Sequence, residues 1–234
     1  MEIIITNLNK TFEEENDKII DNLNLKVTSE GINCIFGPSG SGKTTLLDIL
    51  ADMPYDSGRI EGIENRKIAY LYQEDNFLDP ELTVEENILK AIGDSTKAEN
   101  QELINQLIDL VELKPFRDYY PVQLSGGMKR QAAIAKVLAS NGEVYILDEP
   151  FKGLHMGLKK QVMDYIREKV QETNKMLIFI THDIEEILYL ADHVHIVEGP
   201  PLKSKTYIKI DRSSETVKGE QVEEIKQILR ENSY

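Results

Sequence analysis

Short apolar runs alternate along the chain with stretches of helical spacing. The runs are Glu2 to Ile5, Ile32 to Phe36, Ile68 to Leu71, Val144 to Leu147, Leu177 to Ile180 and Val194 to Val197, all rich in Ile and Val. That alternation predicts an α/β fold built on a mixed, mainly parallel sheet with flanking helices. From about Asp79 to Ser140 the texture turns polar and acidic, with helical spacing at Leu103, Leu107, Leu110 and Val111 and one turn cluster over Gly93 to Thr96. We read an inserted α-helical subdomain over about 77–140 within a single domain whose core is 1–76 and 141–234. Val222, Ile225, Ile228 and Leu229 keep helical spacing in the polar tail, which predicts a packed terminal helix. No internal repeat and no Pro/Gly/Ser linker separates independent domains.

Composition narrows the class. The 234 residues are 41% hydrophobic and 29% charged, which excludes collagen-like and wholly disordered chains. Forty-one acidic against 27 basic residues give a net charge of −14, which argues against general nucleic-acid binding. The single cysteine, Cys34, excludes a disulfide framework and fits a reducing compartment. The start MEIIITNLNK lacks a secretory pattern, and the longest apolar runs, such as Met176 to Ile180, are strand-length, so any membrane role is expected to be peripheral.

Three motifs carry chemistry. Gly37, Pro38, Ser39, Gly40, Ser41, Gly42, Lys43, Thr44 and Thr45 match G-x-x-x-x-G-K-[ST] between the Ile32 to Phe36 strand and the helical run Leu46, Leu47, Ile49, Leu50. The glycines let the backbone turn its N–H groups toward phosphates at a helix N-terminus. Lys43 then reaches the β- and γ-oxygens, and Thr44 is placed to ligate Mg²⁺. In Val144-Tyr-Ile-Leu-Asp-Glu-Pro150 a buried strand ends in two carboxylates, and strand alternation gives them different tasks. Asp148 serves Mg²⁺, and Glu149 polarises a water as general base. Ser125, Gly126 and Gly127 precede the helical run Ala132, Ile134, Ala135, Val137, Leu138, forming a second phosphate-facing helix N-terminus.

These motifs in this order, with Gln73 in YLYQED and His182 in FITHD, make the chain resemble the ATP-binding subunit of an ATP-binding cassette (ABC) transporter over residues 1 to about 210. The resemblance implies a P-loop NTPase core and an ATPase that uses ATP and Mg²⁺. It implies that Phe12 stacks on adenine, that Gln73 contacts Mg²⁺ and senses the γ-phosphate, and that His182 is the switch at that phosphate. Ser125 to Gly127 would serve ATP held by a second copy in a head-to-tail dimer. YPVQLSGGM, with Met128, and the closing VEGPPL are similar to importer subunits of the nitrate, sulfonate and taurine type. The expected partners are therefore integral membrane permease subunits and, indirectly, an extracytoplasmic solute-binding protein, with the chain on the cytoplasmic face of the membrane. His155 stands where the family usually has a dimer-facing Asp.

The alternative is a soluble ABC ATPase acting on ribosomes or DNA. Such proteins resemble two cassettes in one chain or a cassette interrupted by a long coiled coil, and this sequence has neither feature. His193 and His195 share a strand face without a third ligand nearby and read as structural, as does Cys34 in its strand. Glu13 to Glu15 reads as a solvated turn. Phe77 and Leu78, apolar residues in an acidic loop, are expected to be exposed and to receive the permease.

Overall fold

The computed structural model describes residues 1–12, 17–73, 78–93, 97–173, 175–212 and 219–232. Its elements in chain order are β1 (Glu2–Phe12), β2 (Asp17–Thr28), β3 (Ile32–Phe36), α1 (Lys43–Leu50), β4 (Ser57–Glu61), β5 (Ile68–Leu71), α2 (Val84–Ile92), α3 (Lys97–Leu110), α4 (Gly126–Ala139), β6 (Val144–Asp148), α5 (Met156–Thr173), β7 (Met176–Ile180), α6 (Ile184–Leu190), β8 (His193–Glu198), β9 (Lys203–Lys209) and α7 (Gly219–Glu231). Contacts group them into two units, Met1–Arg66 with Val170–Tyr234, and Lys67–Lys169.

In the first unit, β3 pairs in parallel with β7 on one side and β8 on the other, and β9 joins β8 antiparallel. Every residue of β3 and β7 is buried, as expected of strands covered on both faces. Cys34 is part of this core, and burial pushes its thiol pKa up. The unit also contains a three-stranded antiparallel sheet in the order β2-β1-β4. On β1 the buried Ile3 and Ile5 alternate with outward residues, the pattern of a sheet wet on one side. Reciprocal backbone bonds between β2 and Leu202, from Asp21 N to Leu202 O and from Leu202 N to Ile19 O, stitch the two sheets together. The predicted terminal helix is present as α7, with Ile225 and Leu229 buried and Lys226 paired to Glu185 of α6 at 2.9 Å.

The second unit contains the parallel pair β5–β6 and the helices α2, α3 and α4. Thr83 and Glu86 cap α2 reciprocally. Asn87, fully buried, donates to the carbonyls of Asp79, Leu82 and Thr83 and accepts from Asp79 N, which pins the loop before α2. This loop corrects one expectation: Leu78 is only 7% exposed and belongs to the core. Among the described residues, the exposed large apolar side chains of this unit are elsewhere, at Tyr72, Tyr119, Tyr120, Val122 and Met156, with Val122 84% exposed. The readings made for Glu13 to Glu15, for Phe77 and for Asp94 to Thr96 lie outside the described residues.

Candidate functional site

The same strand-end geometry recurs in both units. In the first, the register Ile35↔Ile180 sets the ends of β3 and β7 side by side, so that Gly37 and His182, each two residues beyond, leave the sheet at one edge. Glycine is required where the loop leaves β3, because a Cβ at Gly37 would meet the Val197 carbonyl oxygen at 2.5 Å. Gly40 and Gly42 have φ of +75° and +101°, values open to glycine and rarely to other residues. The loop curls so that Lys43 Nζ donates to Gly37 O at 2.8 Å, Pro38 O at 2.5 Å and Ser41 Oγ at 3.3 Å. Its ammonium is thereby held over the loop that the sequence assigns to phosphate. Thr44 is exposed, Thr45 half-buried and Ser41 buried, while Pro38 is half-buried and Ser39 exposed.

His182 is exposed between β7 and α6. Its neighbours fix the turn: Thr181 Oγ1 donates to Glu186 at 2.5 Å and accepts from Asp183 N at 3.1 Å, and Asp183 caps α6 through Glu185 N at 2.9 Å. Phe12 ends β1, 41% exposed, with Lys10 Nζ 5.5 Å from its ring centroid. An aromatic face open to solvent there is available for stacking.

In the second unit, the register Leu71↔Leu147 brings Gln73 and Glu149 level, again each two residues beyond the paired positions. Their side chains meet, Gln73 Nε2 lying 3.4 Å from Glu149 Oε2, and Lys152 Nζ donates to the same oxygen at 2.9 Å. Asp148, one residue earlier, is 1% exposed. Glu149 has φ +45°, so the chain turns sharply out of β6 at the candidate base. Ser125 caps α4, its Oγ accepting from Met128 N at 3.2 Å, and Ser125, Gly126 and Gly127 are all exposed. That helix start is open to solvent.

His155 behaves as a helix cap. Its Nδ1 accepts from Leu158 N at 3.3 Å, and its Nε2 lies 3.0 Å from Glu112 Oε2. It supplies at the start of α5 the acceptor that an Asp commonly supplies. His193 is tied into the fold by hydrogen bonds: its Nδ1 lies 2.6 Å from Tyr207 Oη and its Nε2 3.1 Å from Glu30 O. Burial, with a smaller contribution from His193, lowers the His195 pKa to about 4. Two residues escaped the sequence reading, Arg130 and Lys152. Arg130 was legible in principle, because it shares the helical face of Ala133, Ile134 and Val137, where a charge is out of place.

A family model described as ABC transporter matches residues 20–152. A probable sulfate/thiosulfate import ATP-binding protein of Chlorella vulgaris is 36% identical over 215 residues, covering 85% of this chain and 88% of the relative. An aliphatic sulfonates import ATP-binding protein of Bacillus subtilis (strain 168) is 35% identical over 214 residues, 87% of this chain and 82% of the relative. Among solved structures, the dimeric post-hydrolysis state of an ATP-binding cassette bound to ADP and Pi is similar with a TM-score of 0.78 at 26% identity, covering 89% of this chain and 99% of that one.

Proposed function

This chain belongs to the ABC transporter family, an ATP-binding and ATP-hydrolysing subunit that energises a separate permease, and on that premise we propose that it drives an importer of small anions or sulfonate-like solutes. The observation that carries the catalytic reading is the meeting of Gln73 and Glu149 at the ends of β5 and β6, which gives a half-buried carboxylate a fixed partner beside a buried Asp148.

In this reading Gly37 to Thr45 cradle the triphosphate, and Lys43 exchanges its loop carbonyls for β- and γ-oxygens. Phe12 stacks on the adenine. Thr44, Asp148 and Gln73 would hold Mg²⁺, an oxygen donor set that suits a hard cation, and the metal would neutralise charge on the phosphate oxygens. Glu149 takes the proton of the attacking water, Gln73 holds the carboxylate in place, and His182 contacts the γ-phosphate. Two copies pair head to tail, each offering Ser125, Gly126 and Gly127 to its partner's ATP; the exposure of all three supports this. The chain acts as one cassette, with 77–140 as its helical subdomain, at the cytoplasmic face of the membrane beside permease subunits and, indirectly, a solute-binding protein. No helix among the described residues is long and apolar enough to cross a membrane.

Glu149→Gln tests the reading. Loss of a general base slows turnover by about 10²-fold or more, with ATP affinity kept and an ATP-bound dimer accumulating on size-exclusion chromatography. Hydrolysis at the parental rate would remove Glu149 as the base.

A further inference from the structure

Arg130 is 5% exposed, on the buried face of α4, and the mechanism above does not use it. The two terminal nitrogens of its guanidinium bond backbone whose place in the chain is telling. Nη1 donates to Tyr72 O at 2.6 Å, and Nη2 donates to Asp148 O at 2.5 Å and Glu149 O at 2.7 Å. These carbonyls belong to the residue before Gln73, to the candidate metal ligand and to the candidate base. In an extended strand successive carbonyls point to opposite edges. Those of Asp148 and Glu149 converge on one nitrogen because the chain turns at Glu149, whose φ of +45° a non-glycine residue keeps only when its surroundings hold it there.

We propose that Arg130 is a positioning residue for ATP hydrolysis: by gripping the ends of β5 and β6 together it sets the backbone from which Glu149 and Gln73 reach each other. The inference rests on the assignment of Glu149 as base. Arg130 also lies on the helix whose first residues, Gly126 and Gly127, are exposed for the second copy. A shift of α4 on engaging that copy's ATP is transmitted through the guanidinium to the turn at Glu149, so that the base is aligned when the dimer closes. Lysine cannot replace it, since one ammonium lacks the planar fork that serves three carbonyls.

The test compares Arg130→Lys in the parent and in a Glu149→Gln background, measuring ATP affinity, melting temperature and single-turnover hydrolysis. Affinity in the parent background should stay within about twofold while kcat falls at least about tenfold, because the ATP loop is not part of the grip. In the Glu149→Gln background the same substitution should change the residual rate less than about twofold, because there is no base left to misplace. An equal fractional loss in both backgrounds, or an unchanged kcat in the parent, would overturn the proposal. Should Arg130→Lys melt far below the parent, Arg130→Gln, whose amide keeps two donors, carries the same comparison. Parental hydrolysis by Glu149→Gln alone would instead remove the base assignment, and with it the role given to Arg130.

Discussion

Leu78 separates a docking surface from a piece of core, and Leu78→Asp is the substitution that tells them apart. At 7% exposure the leucine has given up nearly all contact with water, and burial of such a side chain is worth roughly 1.5–3 kcal/mol. A carboxyl in its place loses that burial and is itself desolvated, which raises its folded pKa by roughly two units and costs about 2–3 kcal/mol more at neutral pH. The neighbouring Asp79, whose pKa is held down by its hydrogen bond with Lys90, adds a like charge. The sum is about 3.5–6 kcal/mol, or a melting temperature lower by roughly 7–24 °C for a chain of this size. The sign with pH is fixed. An introduced carboxyl with a raised folded pKa destabilises most above that pKa, so the gap between Leu78→Asp and Leu78→Asn should narrow as pH falls from 7.5 to 5. Thermal melts at the two pH values, with ATP titration on the folded protein, make the measurement. A Leu78→Asp variant melting within about 2 °C of the parent would refute the core assignment and return this residue to the surface.

Lys43→Ala should abolish ATP binding in a nucleotide titration, because it removes the mobile cation of the loop and leaves the phosphate charge to backbone N–H groups; unchanged affinity would sink the assignment of Gly37 to Thr45. His195, neutral in the fold with a pKa of about 4, lets the unfolded chain take up a proton first as pH falls. Its contribution is therefore fully present above about pH 6.5 and is lost toward pH 4, by about 2 kcal/mol at pH 5. Melts of the parent and of His195→Asn at pH 7.5 and 5 should show a shallower loss in the variant, and parallel losses would refute it.

All six apolar runs appear as strands; five of them are parallel strands, whose burial leaves continuous apolar runs, and the sixth, in β1, is antiparallel and carries its signal in Ile3 to Ile5. The antiparallel strands β2, β4 and β9 were not legible. Asp17–Thr28 alternates Ile20, Leu23, Leu25 and Val27 with polar residues and contains Asn22 at φ +52°, so its period breaks midway. Lys203–Lys209 is almost wholly exposed and carries lysines, as edge strands commonly do, and so leaves no hydrophobic signal. Leu78 failed for a related reason. An apolar pair in an acidic loop looks exposed until the loop is seen pinned by Asn87, an asparagine whose four bonds no spacing rule announces.

Within the candidate site, what the sequence discloses is chemistry tied to short motifs, and what it hides is support that comes from far along the chain. Lys43 and the carbonyls it holds lie within six residues, so one motif contains them all. Arg130 and Tyr72 are 58 residues apart, and Arg130 acts on main-chain oxygens, which every residue has and no sequence pattern marks. Its only trace is a cation on an apolar helix face. A charge there is costly unless its donors find acceptors, and the acceptors that Nη2 finds are the carbonyls that must be turned inward for Glu149 to leave β6 at φ +45°. The cost of burying the cation and the cost of bending the strand end are thus offset by the same hydrogen bonds. Removing the guanidinium should accordingly release the turn, while truncating the Glu149 side chain should leave the carbonyl bonds of Arg130 in place.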